Sequence, residues 1–345
     1  LWSCAGGTAG TASRQAVTER EYEDKVRAYT EAIVNEKSGP EAYFQRGLAW
    51  ARQGKYDRAL NDFTKAAEIN PRDARSYFNM GVALGKKGLL EESLEKYEKG
   101  LLIAPESAVG YYNRGLTLAK LGREEEALAD FNRALALDPD YSLAYLHRGA
   151  IYRKTGSPDL ALADFERAME LDPTNATPYF HRGLTRAESG DFDKAIEDYT
   201  RAIEQNPEDM RAYLYRAQAL AEKGEVDRAL EDLDRALELE PRSAQAYLRR
   251  GELLLRKKDA NKAIANLTKA GDIVRIARYL DRERLVQFME VNPWLPELYY
   301  LKALAWKQKG RYEWALDDVR QAGKLDPDNE TYAKLEQELL ERQKR

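Results

Sequence analysis

Residues 108–141 read AVGYYNRGLTLAKLGREEEALADFNRALALDPDY, and residues 142–175 read SLAYLHRGAIYRKTGSPDLALADFERAMELDPTN. Laid over one another, they pair Tyr111 with Tyr145, Gly115 with Gly149, Ala127 with Ala161, Phe131 with Phe165 and Pro139 with Pro173, always 34 residues apart. The same step carries the pattern outward in both directions. Glycine recurs at Gly47, Gly81, Gly115, Gly149, Gly183 and Gly251, and Ala217 takes the one remaining slot. Four residues ahead of each stands a tyrosine, from Tyr43 to Tyr247. A small residue follows twelve places after, as at Ala59, Ser93 and Ala127, and another seven places later, as at Ala66, Gly100 and Ala134. A proline closes each unit from Pro71 to Pro241.

Apolar spacings of four and seven put one stripe on each of two helices per unit. Gly54, Gly88, Gly122, Gly156, Gly190 and Gly224 sit where the first helix must end, and the proline cannot continue the second. Small residues let the two backbones approach, while Phe63, Tyr97, Phe131, Phe165 and Tyr199 fill the space between them. One unit cannot bury its own stripes, so neighbours must stack.

This signature, in phase seven times from Pro40 to Arg275, resembles the tetratricopeptide repeat family. The resemblance implies a right-handed all-α superhelix, an α-solenoid whose first helices line a concave face that holds an extended peptide or a partner helix. The expected organisation is a flexible tether over 1–20, a capping helix over 21–39, seven units over 40–275, a non-standard helical insertion over 276–295, an eighth unit over 296–329 and a capping helix over 330–345. The eighth unit carries Tyr299, Ala303, Gly310, Ala315 and Ala322, but Gly251 to Ala303 spans 52 residues, so its phase is shifted. Within the extra residues, Ile276, Leu280, Leu285, Phe288 and Val291 keep helical spacing, and Glu290-Val291-Asn292-Pro293 repeats the pattern of Glu68-Ile69-Asn70-Pro71. That predicts a helix in the second-helix slot before the eighth unit, either a lengthened helix that changes curvature or a partner platform exposing Trp294.

At the front, Leu1-Trp2-Ser3-Cys4 with Ala5-Gly6-Gly7 resembles the lipobox of bacterial lipoproteins, although Trp2 replaces the usual small residue. Cys4 is the only cysteine. The resemblance implies lipid attachment at Cys4 and a bacterial cell-envelope location with the repeats in the periplasm or exterior; a chance tetrapeptide would leave the chain cytoplasmic.

If the family's groove carries over, its residues can be read in order. Two places before each recurrent glycine run Gln45, Asn79, Asn113, His147, His181, Tyr215 and Arg249, a polar ladder whose Asn members match the family position that bonds a peptide backbone. A solvated polar face common to repeats is the alternative. One place earlier run Phe44, Phe78, Tyr112, Leu146, Phe180, Leu214 and Leu248, an apolar row read as partner burial with part of it packing on the adjacent first helix. Near the first-helix ends stand Arg52, Lys86, Lys120 and Lys154, then Glu188 and Glu222, then Arg256. Cations there suit the helix dipole; the two acids oppose it, which points to a partner with an acidic and a basic half.

Other chemistries find little support. A carboxylate clamp of the kind some family members use on chaperone tails wants Lys and Asn where Phe44 and Leu48, or Phe78 and Val82, stand. The run Gly81 to Lys87 lacks the glycine spacing and the Ser or Thr of a phosphate loop. Neither a nucleophilic triad nor a metal set converges: there are two histidines, His147 and His181, so no catalytic residue, cofactor or metal is expected. With 55 basic against 59 acidic residues the net charge is −4, too little positive field for nucleic acid. A composition 43% hydrophobic and 33% charged fits an elongated molecule with a core. The reading is a non-catalytic, envelope-anchored protein-interaction scaffold; the alternative is an oligomeric accessory subunit of a transport or assembly system that handles a small ligand or lipid.

Overall fold

Where the two helices of a unit meet, the chain passes through a left-handed residue, and this fixes the hairpin. Gly88 takes φ 81° there, and glycine serves elsewhere too, but in the seventh unit the position falls to Lys258 at φ 61°. A side chain in that conformation is strained by about 1–2 kcal/mol, so the seventh hairpin closes at a cost the others avoid.

The computed structural model describes residues 11–35, 39–273 and 295–343, with side chains from residue 20 onward. Among these residues the chain is all-α, as the sequence predicts, and every regular element is a helix. A long helix, α1 (Thr11–Val34), leads in, followed by α2 (Pro40–Arg52), α3 (Tyr56–Ile69), α4 (Ala74–Lys87) and α5 (Leu90–Ile103). Then come α6 (Ala108–Lys120), α7 (Glu124–Leu137), α8 (Ser142–Lys154) and α9 (Pro158–Leu171), which complete one compact unit ending at Pro173. A second unit from Thr174 holds α10 (Ala176–Glu188), α11 (Phe192–Gln205), α12 (Met210–Glu222), α13 (Val226–Leu239), α14 (Ala244–Arg256) and α15 (Ala260–Ile273). It ends with α16 (Leu295–Gln308), α17 (Tyr312–Leu325) and α18 (Glu330–Gln343).

Local sequence sets the helix ends. First helices open on capping side chains: Asp73 accepts from the Arg75 N–H, Ser107 from Gly110, Asp209 from Arg211 and Ser243 from Ala246. Second helices stop two residues before each proline, as α7 does at Leu137 ahead of Pro139. Inside a hairpin the recurrent glycine lies under the second-helix ring. A Cβ at Gly115 would come 2.9 Å from Phe131 Cε1, and one at Gly183 2.8 Å from Tyr199 Cε1. Where Ala217 replaces the glycine, Leu233 replaces the ring, and both are buried in one cluster. Within each unit every first helix packs on its own second helix and on the second helix before it.

Two expectations change. The tether expected over 1–20 is helical from Thr11, where α1 begins, because Ala16, Gln15 and Glu19 favour helix and no proline interrupts them. The helix expected over 276–291, with Trp294, lies outside the described residues, as do residues 1–10 with Cys4. The slot that helix was given is nonetheless filled: α15 packs directly on α16, with Leu267, Ala270, Leu295 and Leu298 in one buried cluster. The eighth hairpin, α16 with α17, therefore stacks on the seventh as any neighbour does.

Candidate partner-binding site

The polar ladder occupies one position of each first helix, but much of it is already engaged. In the first unit Gln45 Nε2 donates to Glu41 at 2.6 Å. Asn79 Nδ2 donates to the Arg75 carbonyl at 2.8 Å and Asn113 Nδ2 to that of Val109 at 2.9 Å, both one turn back on their own helices. Each amide keeps its carbonyl oxygen and its second N–H for a partner. His147 packs beside Tyr112 and over Phe131, at centroid distances of 5.8 and 6.3 Å. In the second unit His181 meets Phe180 edge-on at 5.6 Å, Tyr215 does so at 5.5 Å, and Arg249 reaches Glu252 and Glu297 at 3.1 and 3.2 Å.

The apolar row is core, which corrects its reading as partner surface. Phe44, Tyr112 and Phe180 are 5–7% exposed, and Leu146, Leu214 and Leu248 are buried as well. Their rings face the second-helix aromatics, Phe44 on Phe63 at 5.7 Å and Phe180 on Tyr199 at 5.9 Å. The reason is position: three residues ahead of the glycine, the side chain points between the two helices of its hairpin. Phe78 alone of the row stays half-buried, its ring held where Gly100 and Gly110 leave room.

A repeated ion pair escaped the sequence reading. Arg46, Arg114, Arg148, Arg182, Arg216 and Arg250 stand immediately before the recurrent small residue, and sixteen places on stand Asp62, Asp130, Asp164, Asp198, Asp232 and Asn266. Arg46 grips Asp62 through Nε and Nη2 at 2.8 and 2.7 Å, and Arg114, Arg148 and Arg216 repeat the two-point contact. The same guanidinium also reaches the preceding second helix: Arg46 to Thr30 at 3.2 Å, Arg148 to Asn132 at 2.7 Å, Arg216 to Thr200 at 3.0 Å, and Arg250 to Asp234. These arginines lock units together and are not free for a partner. The signal was available, since both positions recur with the 34-residue period. The second unit of this series, at Met80 and Lys96, lacks both members.

An open trough lies in the second unit, between the C-terminal halves of α14 and α16 and the end of α18, with a volume of about 580 Å³. Leu255, Leu301 and Leu304 form its floor, and Arg256, Lys307 and Arg342 stand around them with Glu252 and Gln308. A smaller cavity shares Glu252 and Arg256 and runs on to Gln218, Ala221 and Glu222 of α12. Arg249 also lines it, with an Nε that is buried and makes no hydrogen bond among the described residues. Two sequence-predicted positions, Arg249 and Arg256, thus meet at one site with Glu252 on the same helix face. Arg342 joins from the capping helix, which periodicity alone does not place.

Profiles of the tetratricopeptide repeat match residues 40–73, 63–95, 108–141, 142–175, 180–240 and 220–271, more than half of the chain. The chain belongs to the tetratricopeptide repeat family. Repeats of this family serve as protein-interaction scaffolds, and that coarse role extends to this chain. Among solved structures, a tetratricopeptide repeat protein from Parabacteroides merdae is 21% identical, covers 77% of this chain and 98% of its own, and superposes with a TM-score of 0.56. PilF of Pseudomonas aeruginosa is 21% identical over 62% of this chain and 97% of its own, again at 0.56. At that identity both share the fold and nothing finer. No curated protein matches the chain.

In this tetratricopeptide array the basic first-helix termini lie at the surface. Lys86, Lys120 and Lys154 are all exposed, and Lys154 donates to Glu124 at 2.5 Å, across to the start of α7. His147 has a measurable signature. Burial pushes its pKa down to about 4 from 6.5. As pH falls the unfolded chain takes up that proton first, so the stability tied to neutral His147 is complete above about 6.5 and drains away toward about 4. We expect His147→Gln to remove up to about 3 kcal/mol of the acid-induced loss between those limits, read by urea unfolding across that range. Wild type and variant losing stability in parallel would contradict this.

Proposed function

We propose that this tetratricopeptide chain is a non-catalytic scaffold that captures an extended segment of a partner protein along its first-helix face. The observation that carries the reading is the open trough of α14 and α16, lined by aliphatic and charged side chains of first helices. Asn79 and Asn113 support it in the first unit with unused amide groups at successive first helices. Two hydrogen bonds to a partner backbone at about 1 kcal/mol each predict that Asn79→Ala with Asn113→Ala weakens the complex by roughly 30-fold while leaving the melt within a few degrees. A full-strength complex from that double variant would remove the ladder from the reading.

The site itself is tested by photo-crosslinking from the full chain in its host. A benzoylphenylalanine at exposed Gln308 should trap a partner, and one at exposed Glu98 on a second helix should not. Trapping from Glu98 alone would move the interface off the first-helix face. We also propose that the scaffold is lipid-anchored in a bacterial envelope through Cys4, on the strength of the sequence around that cysteine. Palmitate label lost in Cys4→Ser supports the anchor, and no label on either form returns the array to the cytoplasm.

A further inference from the structure

We infer that the trough between α14, α16 and α18 takes an acidic, leucine-bearing segment of a partner, bound mid-chain rather than by a free C-terminus. This rests on the capture reading above and specifies its chemistry.

Charge is the first argument. The two cavities together are lined by four cations, Arg249, Arg256, Lys307 and Arg342, against two carboxylates, Glu222 and Glu252. The local acids are shared: Lys307 and Arg342 both lean on Glu338 at 2.5 and 3.1 Å, and Arg249 and Arg256 both lean on Glu252 at 3.1 and 2.8 Å. Arg249 adds Glu297, and its buried Nε finds no acceptor among the described residues. A guanidinium offers five donors and an ammonium three, so donors outnumber the carboxylate oxygens supplied by the chain itself. The side chains of Arg256 and Arg342 are 45% and 52% exposed, so an incoming carboxylate can reach them.

The floor sets the second requirement. Leu255 and Leu301 are 7% and 8% exposed at its base, and Leu304 is half-buried beside them. An aliphatic side chain next to the carboxylate would cover that surface, within a volume typical of binding pockets. Continuity sets the third. The trough is open at its sides, and the cavity of about 40 Å³ beside its cationic rim, also lined by Glu252 and Arg256, is far too small to receive a chain end, so a bound segment runs past the rim along the open trough.

The test uses the full chain and fluorescein-labelled peptides that are N-acetylated and C-amidated, read by anisotropy. A peptide alternating aspartate and leucine should bind at least about tenfold more tightly than one alternating lysine and leucine or aspartate and serine, and should weaken with salt. Arg256→Glu with Arg342→Glu should invert the aspartate–lysine preference; both side chains are half exposed, and an unchanged helical melt confirms that the variant folds. Equal binding of the acidic and basic peptides, or an unmoved preference in the variant, overturns the inference. So does a free-acid form binding more than about tenfold tighter than the amide, which would make the terminal carboxylate the ligand. Peptides that bind without regard to Arg256 and Arg342 sink this inference and leave capture standing. A chain that binds none of them sinks it too, and crosslinking from Gln308 then decides capture independently.

Discussion

Asp198→Ala is expected to cost the second unit about 3–5 kcal/mol, the largest loss from any single truncation of a polar side chain considered above. The Asp198 carboxylate is 1% exposed and accepts from Arg182 Nη2 at 2.7 Å and Arg186 Nη1 at 2.9 Å. Truncation removes the carboxylate that both guanidiniums share in a largely buried setting, and the penalty is chiefly that of taking one member out of a buried ion pair. Urea unfolding should show a lower midpoint, and amide exchange of α11 and α10 should quicken before that of α17. A loss below about 1 kcal/mol would mean that the arginines find other acceptors and that the ion pair is ornamental.

The second large effect is a repair. Met80 is 5% exposed and takes the place that arginine holds in the other units, with its sulfur 3.7 Å from Thr64 Oγ1. Thr64 stands sixteen residues before Met80, as Thr30 does before Arg46 and Thr200 before Arg216. The acceptor on the preceding helix is therefore already present. Met80→Arg alone should destabilise by about 3 kcal/mol, because the new cation is buried beside Lys96 without an anion. Adding Lys96→Asp supplies the missing carboxylate and should restore most of it, giving a coupling of roughly 2–3 kcal/mol in a double-mutant cycle. Additive effects of the two substitutions would show that the ladder's geometry at this hairpin differs from that of its neighbours.

Fold and hairpin boundaries were legible because they depend on residues whose physics is local. Gly88 ends a helix, Pro139 follows one, and Gly115 makes room for a ring that is visible sixteen positions later. The site was less legible. Periodicity put Phe44 and Asn79 on first helices but could not say which way one residue's step turns the side chain. A step of about 100° separates Phe44, inside the hairpin, from Gln45, at its surface. Arg249 and Arg256 were in view, but Arg342 reaches them only after the capping helix has packed through Leu335 and Leu339. That approach depends on tertiary placement, which no 34-residue repeat encodes.

The two-way grip of the arginines bears on how such a chain can grow. A unit such as that of Asp130 and Asn132, or Asp232 and Asp234, brings both a carboxylate for its own guanidinium and, on the same helix, an acceptor for the guanidinium that follows, so a duplicate of it arrives with both halves of its joints and needs no matching change elsewhere. The hairpin before Met80 retains Thr64 for a cation that is not there, so a joint can be lost from one copy while its neighbours keep theirs. Lengthening by whole-unit copying is thus nearly neutral for the polar seam, whereas a cut within a unit strands a buried charge, and insertions and deletions in the array should respect the proline boundaries.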